Sequence, residues 1–151
     1  MKILVTGSSG FVGKLLIEEL ARLGHEVEGF DSSHGKNILN LTQVKQAVKG
    51  KQVVFHLAAS LDETKPKEML EVNVKGTENV VEASAKASVS QFVFLSTVGV
   101  HGNATKVNEN SPLKPETMYE ASKARAEKIV WESQEMLPIT IVRSALVLGP
   151  N

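Results

Sequence analysis

The sequence contains one tyrosine, Tyr119, which lies four residues before Lys123 in a segment with a helical pattern. Residues four apart share one face of a helix, so the phenol and the ammonium are neighbours. A free phenol has a pKa of about 10, and a nearby cation favours the phenolate. The pair is therefore a candidate acid/base unit. The alternative is a solvated polar pair on a surface helix, because this spacing also arises by chance.

A glycine-rich turn follows the first apolar run of the chain. Residues 1–6 have the pattern of a strand, residues 7–13 follow as G-x-x-G-x-x-G, and leucines then recur at helical spacing. Strand, glycine turn and helix in this order are typical of a dinucleotide-binding unit, in which glycine lets the backbone approach a pyrophosphate. The start of the helix offers free N–H groups to the phosphates. The alternative is an ordinary tight turn.

Asp31 follows the second predicted strand, residues 26–30. Its distance from the glycine turn is close to the spacing of about 20 residues expected for a carboxylate that accepts hydrogen bonds from the adenosine ribose. The same carboxylate repels a 2′-phosphate, and Lys36 is the one nearby cation that opposes this effect. The pattern favours NAD over NADP.

Length and composition exclude several classes of function. The 151 residues suit a single domain, and the 17 basic and 17 acidic residues cancel, so neither nucleic acid nor an anionic membrane is an expected partner. The chain has no cysteine, and its four histidines lack ligand spacing, so no metal site is predicted. Neither a signal peptide nor an apolar run of about 18 residues is evident, and we expect a cytoplasmic protein.

Predicted strands and helices alternate along the chain. Further strands are predicted at residues 51–57, 90–97 and 139–143, and further helices at residues 41–48, 66–87 and 116–136. Strands that are apolar on both faces and separated by helices indicate a parallel sheet. We therefore predict an α/β fold over residues 1–151, a doubly wound Rossmann sheet of about six strands with helices on both faces.

With these motifs in order, the chain resembles the extended short-chain dehydrogenase/reductase family, in particular its NAD-dependent epimerase/dehydratase branch. The resemblance covers essentially the whole chain. It rests on residues 6–13, 56–59, 73–77 and 92–97, on Tyr119 with Lys123, and on Arg143 with Gly149 and Pro150. Several motifs in the family's order are far more specific than any one of them.

The resemblance implies that Tyr119 exchanges a proton with a substrate hydroxyl or carbonyl, while Lys123 holds the nicotinamide ribose and lowers the pKa of the tyrosine. It implies that Thr97, with Ser96 as the competing residue, hydrogen-bonds the same substrate oxygen. Asn73 matches a helix asparagine that positions a water or backbone near the lysine. The structural alternatives are a strand-end hydroxyl bonded to its own backbone and a satisfied buried amide.

The implied cofactor is NAD. Besides Tyr119 and Lys123, the residues implied to hold it are Gly7, Ser9, Gly10, Phe11, Val12, Gly13, Asp31, Ser32, Ser33, Asn37, Ile38, Leu57, Ala58, Ala59 and Leu95. Asn37 stands where many relatives have aspartate, and its carbonyl can still pair with the adenine amino group. His56 lies on a strand that we expect to be buried, which favours a core residue over a ligand.

The implied reaction is reversible hydride transfer at a secondary alcohol carbon, which in this branch lets the enzyme epimerise or dehydrate a nucleotide sugar. Two positions depart from the family pattern. Leu146 replaces an asparagine that commonly contacts the sugar nucleotide, and His101 replaces a tyrosine. Residues 146–150 are instead reminiscent of the hydroxysteroid and dihydroflavonol reductase branch, although Asp31 does not suit the NADPH that the plant reductases use.

Family members continue past the Gly-Pro pair with a substrate-binding portion, and this sequence ends at Asn151. The expectation is an enzyme domain truncated before that portion, or else a non-catalytic NAD-binding module. Without a lid, such a chain cannot exclude water or orient a sugar, so we expect negligible turnover from it alone. The apolar surface left uncovered also allows a homodimer.

Overall fold

The computed structural model describes residues 1–145 together with Val147 and Gly149. Within them, five strands form one parallel sheet in the order β2-β1-β3-β4-β5. The strands are β1 (Lys2–Thr6), β2 (Glu26–Phe30), β3 (Val53–His56), β4 (Gln91–Thr97) and β5 (Ile139–Ser144). The predicted parallel sheet is confirmed, with five strands in this part of the chain against the approximate count of six.

The helices are α1 (Phe11–Arg22), α2 (Leu41–Val48), α3 (Pro66–Leu70), α4 (Thr77–Lys86) and α5 (Met118–Glu132). The single helix predicted over residues 66–87 is divided, because a π-helical turn, Glu71–Gly76, lies between α3 and α4. Two short 3-10 turns, Ser32–His34 and Val98–His101, follow β2 and β4. Helix α5 begins at Met118 instead of the predicted residue 116, because Thr117 forms the N-terminal capping box with Glu120.

Helices cover both faces of the sheet, as predicted. On one face, Leu20 of α1 packs with Ile3, Val5 and Val53. On the other face, α2, α4 and α5 enclose a larger apolar cluster that includes Phe92 of β4. Alternate residues of β1 and β3 enter the two cores, which is why these central strands are apolar on both faces.

Pro150, which is part of the family resemblance, and Leu146, which departs from the family pattern, lie outside the described residues. Within the described ranges, no helix combines the length and apolarity needed to cross a bilayer.

Candidate active site

The candidate site lies at the carboxyl ends of the strands. The chain leaves β1 for β2 on one side and later returns to β3 on the other side, so the strand order reverses at β1. Crevices at such reversals are where open parallel sheets bind ligands. The glycine turn follows β1, Asp31 follows β2, and residues 57–59 follow β3.

The glycine turn is a close-packed cradle that a larger residue would fill. Gly7 has a φ of 70°, and a Cβ built on it would lie 2.7 Å from the backbone nitrogen of Ala58. A Cβ on Gly13 would collide with the carbonyl oxygen of Gly7. Glycine at these positions therefore lets the start of α1 pack against the turn, which aims the helix N-terminus at the crevice.

Asp31 is held as a carboxylate by the backbone around it. Its Oδ1 accepts hydrogen bonds from the Ser33 backbone N–H at 3.0 Å and the Ser33 hydroxyl at 2.8 Å, and its Oδ2 accepts from the Ser9 backbone N–H at 3.0 Å. Burial opposes ionisation, but these donors outweigh it and hold the pKa of Asp31 below its usual value. The charge predicted from sequence is therefore present beside the turn.

Lys36, the one cation expected to oppose NAD, lines the same crevice as Asp31 but makes its polar contacts with β2. Its ammonium donates to Glu28 at 3.0 Å and to the carbonyl of Gly29 at 3.0 Å. It also lies 5.7 Å from the centre of the Phe30 ring. This ion pair holds the Lys36 ammonium against β2 and weakens the argument for a bound 2′-phosphate, although Glu28 also pairs with Lys51 at 2.8 Å.

A cavity of about 210 Å³ connects these elements. It is lined by Gly7, Gly10, Phe30, Asp31, Ser32, Lys36, Asn37, Ile38, Leu57, Ala58, Ala59 and Val72. Nine of these were predicted from sequence, whereas Phe30, Lys36 and Val72 were not. These last three residues come from separate parts of the chain, and none of them belongs to a recognised motif.

The other predicted cofactor residues do not line this cavity. Ser9 and Ser33 bind Asp31, whereas Phe11, Val12 and Gly13 form the first turn of α1. Leu95 lies on β4, away from the cavity lining. Asn37 lines the cavity, but its Oδ1 accepts from the Leu39 backbone N–H at 2.9 Å, so the amide is part of a local turn.

Lys123 of α5 is buried. A charged residue at this spacing from Tyr119 could equally have lain on a solvent-exposed face of the helix. Its side chain is 2% exposed, and its ammonium lies 4.0 Å from the centre of the Phe94 ring. Burial lowers the pKa of Lys123 to about 7, against the opposing charge of Glu127. Lysine is costly to bury and shifts its pKa readily, so such a position marks a candidate functional group.

Tyr119 precedes Lys123 by one turn and is half-buried. Its hydroxyl makes no hydrogen bond with the residues that the structure describes. The expected lowering of its pKa by Lys123 is not seen, because burial of the phenol raises the pKa of Tyr119. The two groups share a helix face, but in this structure burial rather than charge governs the titration of both.

Asn73 connects the crevice to the helix that carries Tyr119 and Lys123. Buried residues recur four apart at Met69, Asn73 and Thr77, which turns the Asn73 side chain inward at 1% exposure. Its amide donates to the Ser122 hydroxyl at 2.9 Å and to the carbonyl of Ser60 at 2.9 Å, and its oxygen accepts from the Ser60 backbone N–H at 2.7 Å. The amide is therefore fully satisfied, and sequence reasoning missed Ser60 and Ser122 as its partners.

Ser96 and Thr97, the competing hydroxyls, differ in their surroundings. Thr97 caps the 3-10 turn after β4 by accepting from the Gly99 backbone N–H at 3.1 Å, which leaves its own proton available. Ser96 points into the core, and its hydroxyl is the one fully buried side-chain polar atom without a partner in the described residues. Within those residues, no hydrogen bond joins either hydroxyl to Tyr119 or Lys123.

The partly buried Arg143 of β5 and the buried Glu127 of α5 form an ion pair. Three hydrogen bonds of 2.8 to 3.2 Å run from the guanidinium to the carboxylate, which is 3% exposed. Arg143 also donates to His101 at 3.2 Å and to the carbonyl of Glu109 at 3.2 Å. The pair therefore fastens β5 and the loop after β4 to the helix that carries the acid/base residues.

A glycine cradle, an ionised aspartate and a buried lysine at the carboxyl ends of a parallel sheet define a Rossmann-type dinucleotide-binding domain, and these residues fit the pyrophosphate and ribose of such a cofactor. The sequence matches the model of the NAD dependent epimerase/dehydratase family over residues 3–151. The chain belongs to that family.

Individual relatives agree with this assignment. The chain is 34% identical to an uncharacterised UDP-glucose epimerase, YtcB, of Bacillus subtilis, with 100% of the chain and 58% of the relative covered. It is 36% identical to a 3-beta-hydroxysteroid dehydrogenase of Mycolicibacterium neoaurum over 85% of the chain and 42% of that relative. The Bordetella bronchiseptica enzyme WbmG, solved with NAD, matches with a TM-score of 0.91 at 27% identity, over 99% of the chain and 55% of WbmG. The chain thus spans about half the length of these proteins.

Proposed function

We propose that this chain is the NAD-binding and proton-transfer part of an epimerase or dehydratase that acts on a nucleotide sugar. The observation that carries the proposal is the buried Lys123, one helical turn from Tyr119 and next to Ser122, which Asn73 binds. A solvated surface pair would need neither the burial nor the asparagine. Similarity to the UDP-glucose epimerase YtcB supports the substrate class.

NAD, when bound, takes a hydride from a secondary alcohol carbon and can return it. The residues of the chain divide the remaining work. In this proposal Asp31 accepts from the ribose hydroxyls, Lys123 holds the second ribose, and Tyr119 moves the proton of the substrate oxygen. The free proton of Thr97 makes it a better partner for that oxygen than Ser96, whose hydroxyl faces the core.

A hydroxysteroid dehydrogenase activity is the second candidate, because a 3-beta-hydroxysteroid dehydrogenase is among the relatives at 36% identity. The two functions differ in the fate of the cofactor. Epimerisation returns the hydride within one turnover, whereas dehydrogenation accumulates NADH.

A homodimer and a cytoplasmic location stay predictions, and so does a single domain without its substrate-binding portion.

The test uses the complete natural polypeptide with NAD in excess over the enzyme and either UDP-glucose or a 3β-hydroxysteroid. We expect UDP-galactose in the NMR spectrum, no net absorbance of NADH, and strongly slowed conversion by the Tyr119→Phe variant. Accumulation of NADH with the steroid would replace the first function with the second. Failure to bind NAD in calorimetry would contradict both.

A further inference from the structure

A buried hydrogen-bonded chain runs from the cofactor crevice to the helix of Asn73. It begins at Ala58, whose backbone N–H donates to the Thr6 hydroxyl at 3.3 Å. The Thr6 hydroxyl lies 2.6 Å from Nδ1 of His56, and Nε2 of His56 lies 2.9 Å from the Thr77 hydroxyl. Thr77 in turn donates to the backbone carbonyl of Asn73 at 2.7 Å.

The donors and acceptors along this hydrogen-bonded chain determine the tautomer of His56. The Thr77 proton is used on the Asn73 carbonyl, so the Thr77 oxygen can only accept, and Nε2 of His56 must carry a proton. The hydroxyl of Thr6 then donates to Nδ1. The imidazole is 0% exposed, and burial together with the charge of Lys123 lowers its pKa to about 3, so it stays neutral.

The far end of the chain lies within the π-helical turn of residues 71–76. A π-helical turn holds one residue more than an α-helical turn, and its loss would rotate the preceding residues by about 100° about the helix axis. Asn73 would then leave Ser60 and Ser122, its partners at 2.7 to 2.9 Å. The π-helical turn therefore needs a contact that stabilises it. The Thr77 hydroxyl makes such a contact directly with the backbone of the turn, at the Asn73 carbonyl.

We propose that His56 and Thr77 are positioning residues, which act through the Asn73 carbonyl to hold the π-helical turn and present the Asn73 amide to Ser122 in the acid/base helix. Thr6 anchors the other end at the wall of the cofactor crevice. The unit makes no contact with the reacting atoms. Its role in catalysis rests on the proposed function, whereas its role in placing Asn73 does not.

The tautomer of His56 is the first test, and it needs no substitution. NMR of the 15N-histidine-labelled protein should show the Nε2–H form of His56, unchanged between about pH 5 and pH 8, where an ordinary histidine titrates. An Nδ1–H tautomer, or titration of His56 within that range, would overturn the proposal.

The second test compares Thr77→Val, which removes the hydroxyl at nearly constant shape, with Thr77→Ser, which keeps it. The backbone N–H of Ser60 bonds to the Asn73 oxygen, so its hydrogen exchange reports the position of Asn73. Relative to amides in β3, Thr77→Val should speed this exchange roughly tenfold, the effect of one lost hydrogen bond, and Thr77→Ser should restore it.

Ser84→Ala is the matched control. The Ser84 hydroxyl makes the same kind of bond, to the carbonyl of Val80 at 2.7 Å, farther along the same helix. It should lower stability without changing the relative exchange of Ser60. If Thr77→Val and Ser84→Ala changed the relative exchange of the Ser60 amide equally, the Thr77 hydroxyl would have a merely structural role. Failure to bind NAD would remove the proposed function but leave both measurements decisive for the placement of Asn73.

Discussion

Lys123→Met should stabilise the protein without cofactor while it weakens NAD binding and turnover. The folded pKa of Lys123 is about 7, against 10.5 for an ordinary lysine. Each pKa unit is worth about 1.4 kcal/mol, so at pH 7, where about half the folded lysine is neutral, its burial costs about 4 kcal/mol. A folded pKa already includes the attraction of the ammonium to the Phe94 ring, so a net gain of up to about 4 kcal/mol is expected.

The sign of the pH dependence follows from the same shift. Between pH 7 and 10.5 the unfolded chain binds more protons at Lys123 than the folded chain, so the stability of the parent rises with pH in that window. The advantage of Lys123→Met should therefore shrink by about 2 kcal/mol between pH 7 and pH 9. Below pH 7 it should reach its full value.

Urea denaturation followed by circular dichroism at both pH values measures these differences. Lys128→Met is the control, because Lys128 lies in the same helix with its side chain 76% exposed and should change stability by less than about 0.5 kcal/mol at either pH. An advantage of Lys123→Met that is absent at pH 7, or that does not change with pH, would refute the reasoning that burial neutralises this lysine. Calorimetry with NAD then shows whether the burial of Lys123, which lowers stability, contributes to NAD binding.

Three further substitutions test the site. Asp31→Ala should weaken NAD binding and narrow its preference over NADP in calorimetry, whereas Asp62→Ala, a change in an exposed turn, should do neither; equal affinity of the parent for both cofactors would contradict the role of Asp31. Tyr119→Phe should lower turnover by roughly a hundred- to ten-thousand-fold with NAD affinity largely kept, and turnover within about twofold of the parent would mean that the phenol is not the proton shuttle. Gly7→Ala should abolish NAD binding because its Cβ would lie 2.7 Å from Ala58, whereas Gly24→Ala has comparable backbone strain at a φ of 80° and open space around it. If the two glycine variants bound NAD alike, the close approach at Gly7 would be irrelevant to the cofactor.

The order of the elements and half of the site could be predicted from the sequence. Glycines at 7, 10 and 13 after an apolar strand, and an acid after the next strand, have meaning through their spacing alone. Lys123 one turn after Tyr119 is equally a matter of spacing. Such local patterns can be recognised without knowing which other parts of the chain lie near them.

Other features depend on contacts between distant residues, and the sequence alone could not show them. The π-helical turn is one example, because residues 66–87 have an ordinary helical pattern and the inward turn of Asn73 depends on Ser60, Ser122 and Thr77. Lys36 is another, since its ion pair with Glu28 becomes evident only when β2 and the loop after it are folded.

What the sequence by itself determined is which groups are available for chemistry and in what order the strands and helices present them, because spacing along the chain sets turn and helix geometry. What only the tertiary structure decided is the charge and freedom of those groups. Burial beside the Phe94 ring lowers the pKa of Lys123 to about 7, and the Ser96 hydroxyl faces the core, whereas the Thr97 hydroxyl keeps its own proton available. Burial and hydrogen-bond partners are properties of the packed chain, and residues far apart in sequence supply them.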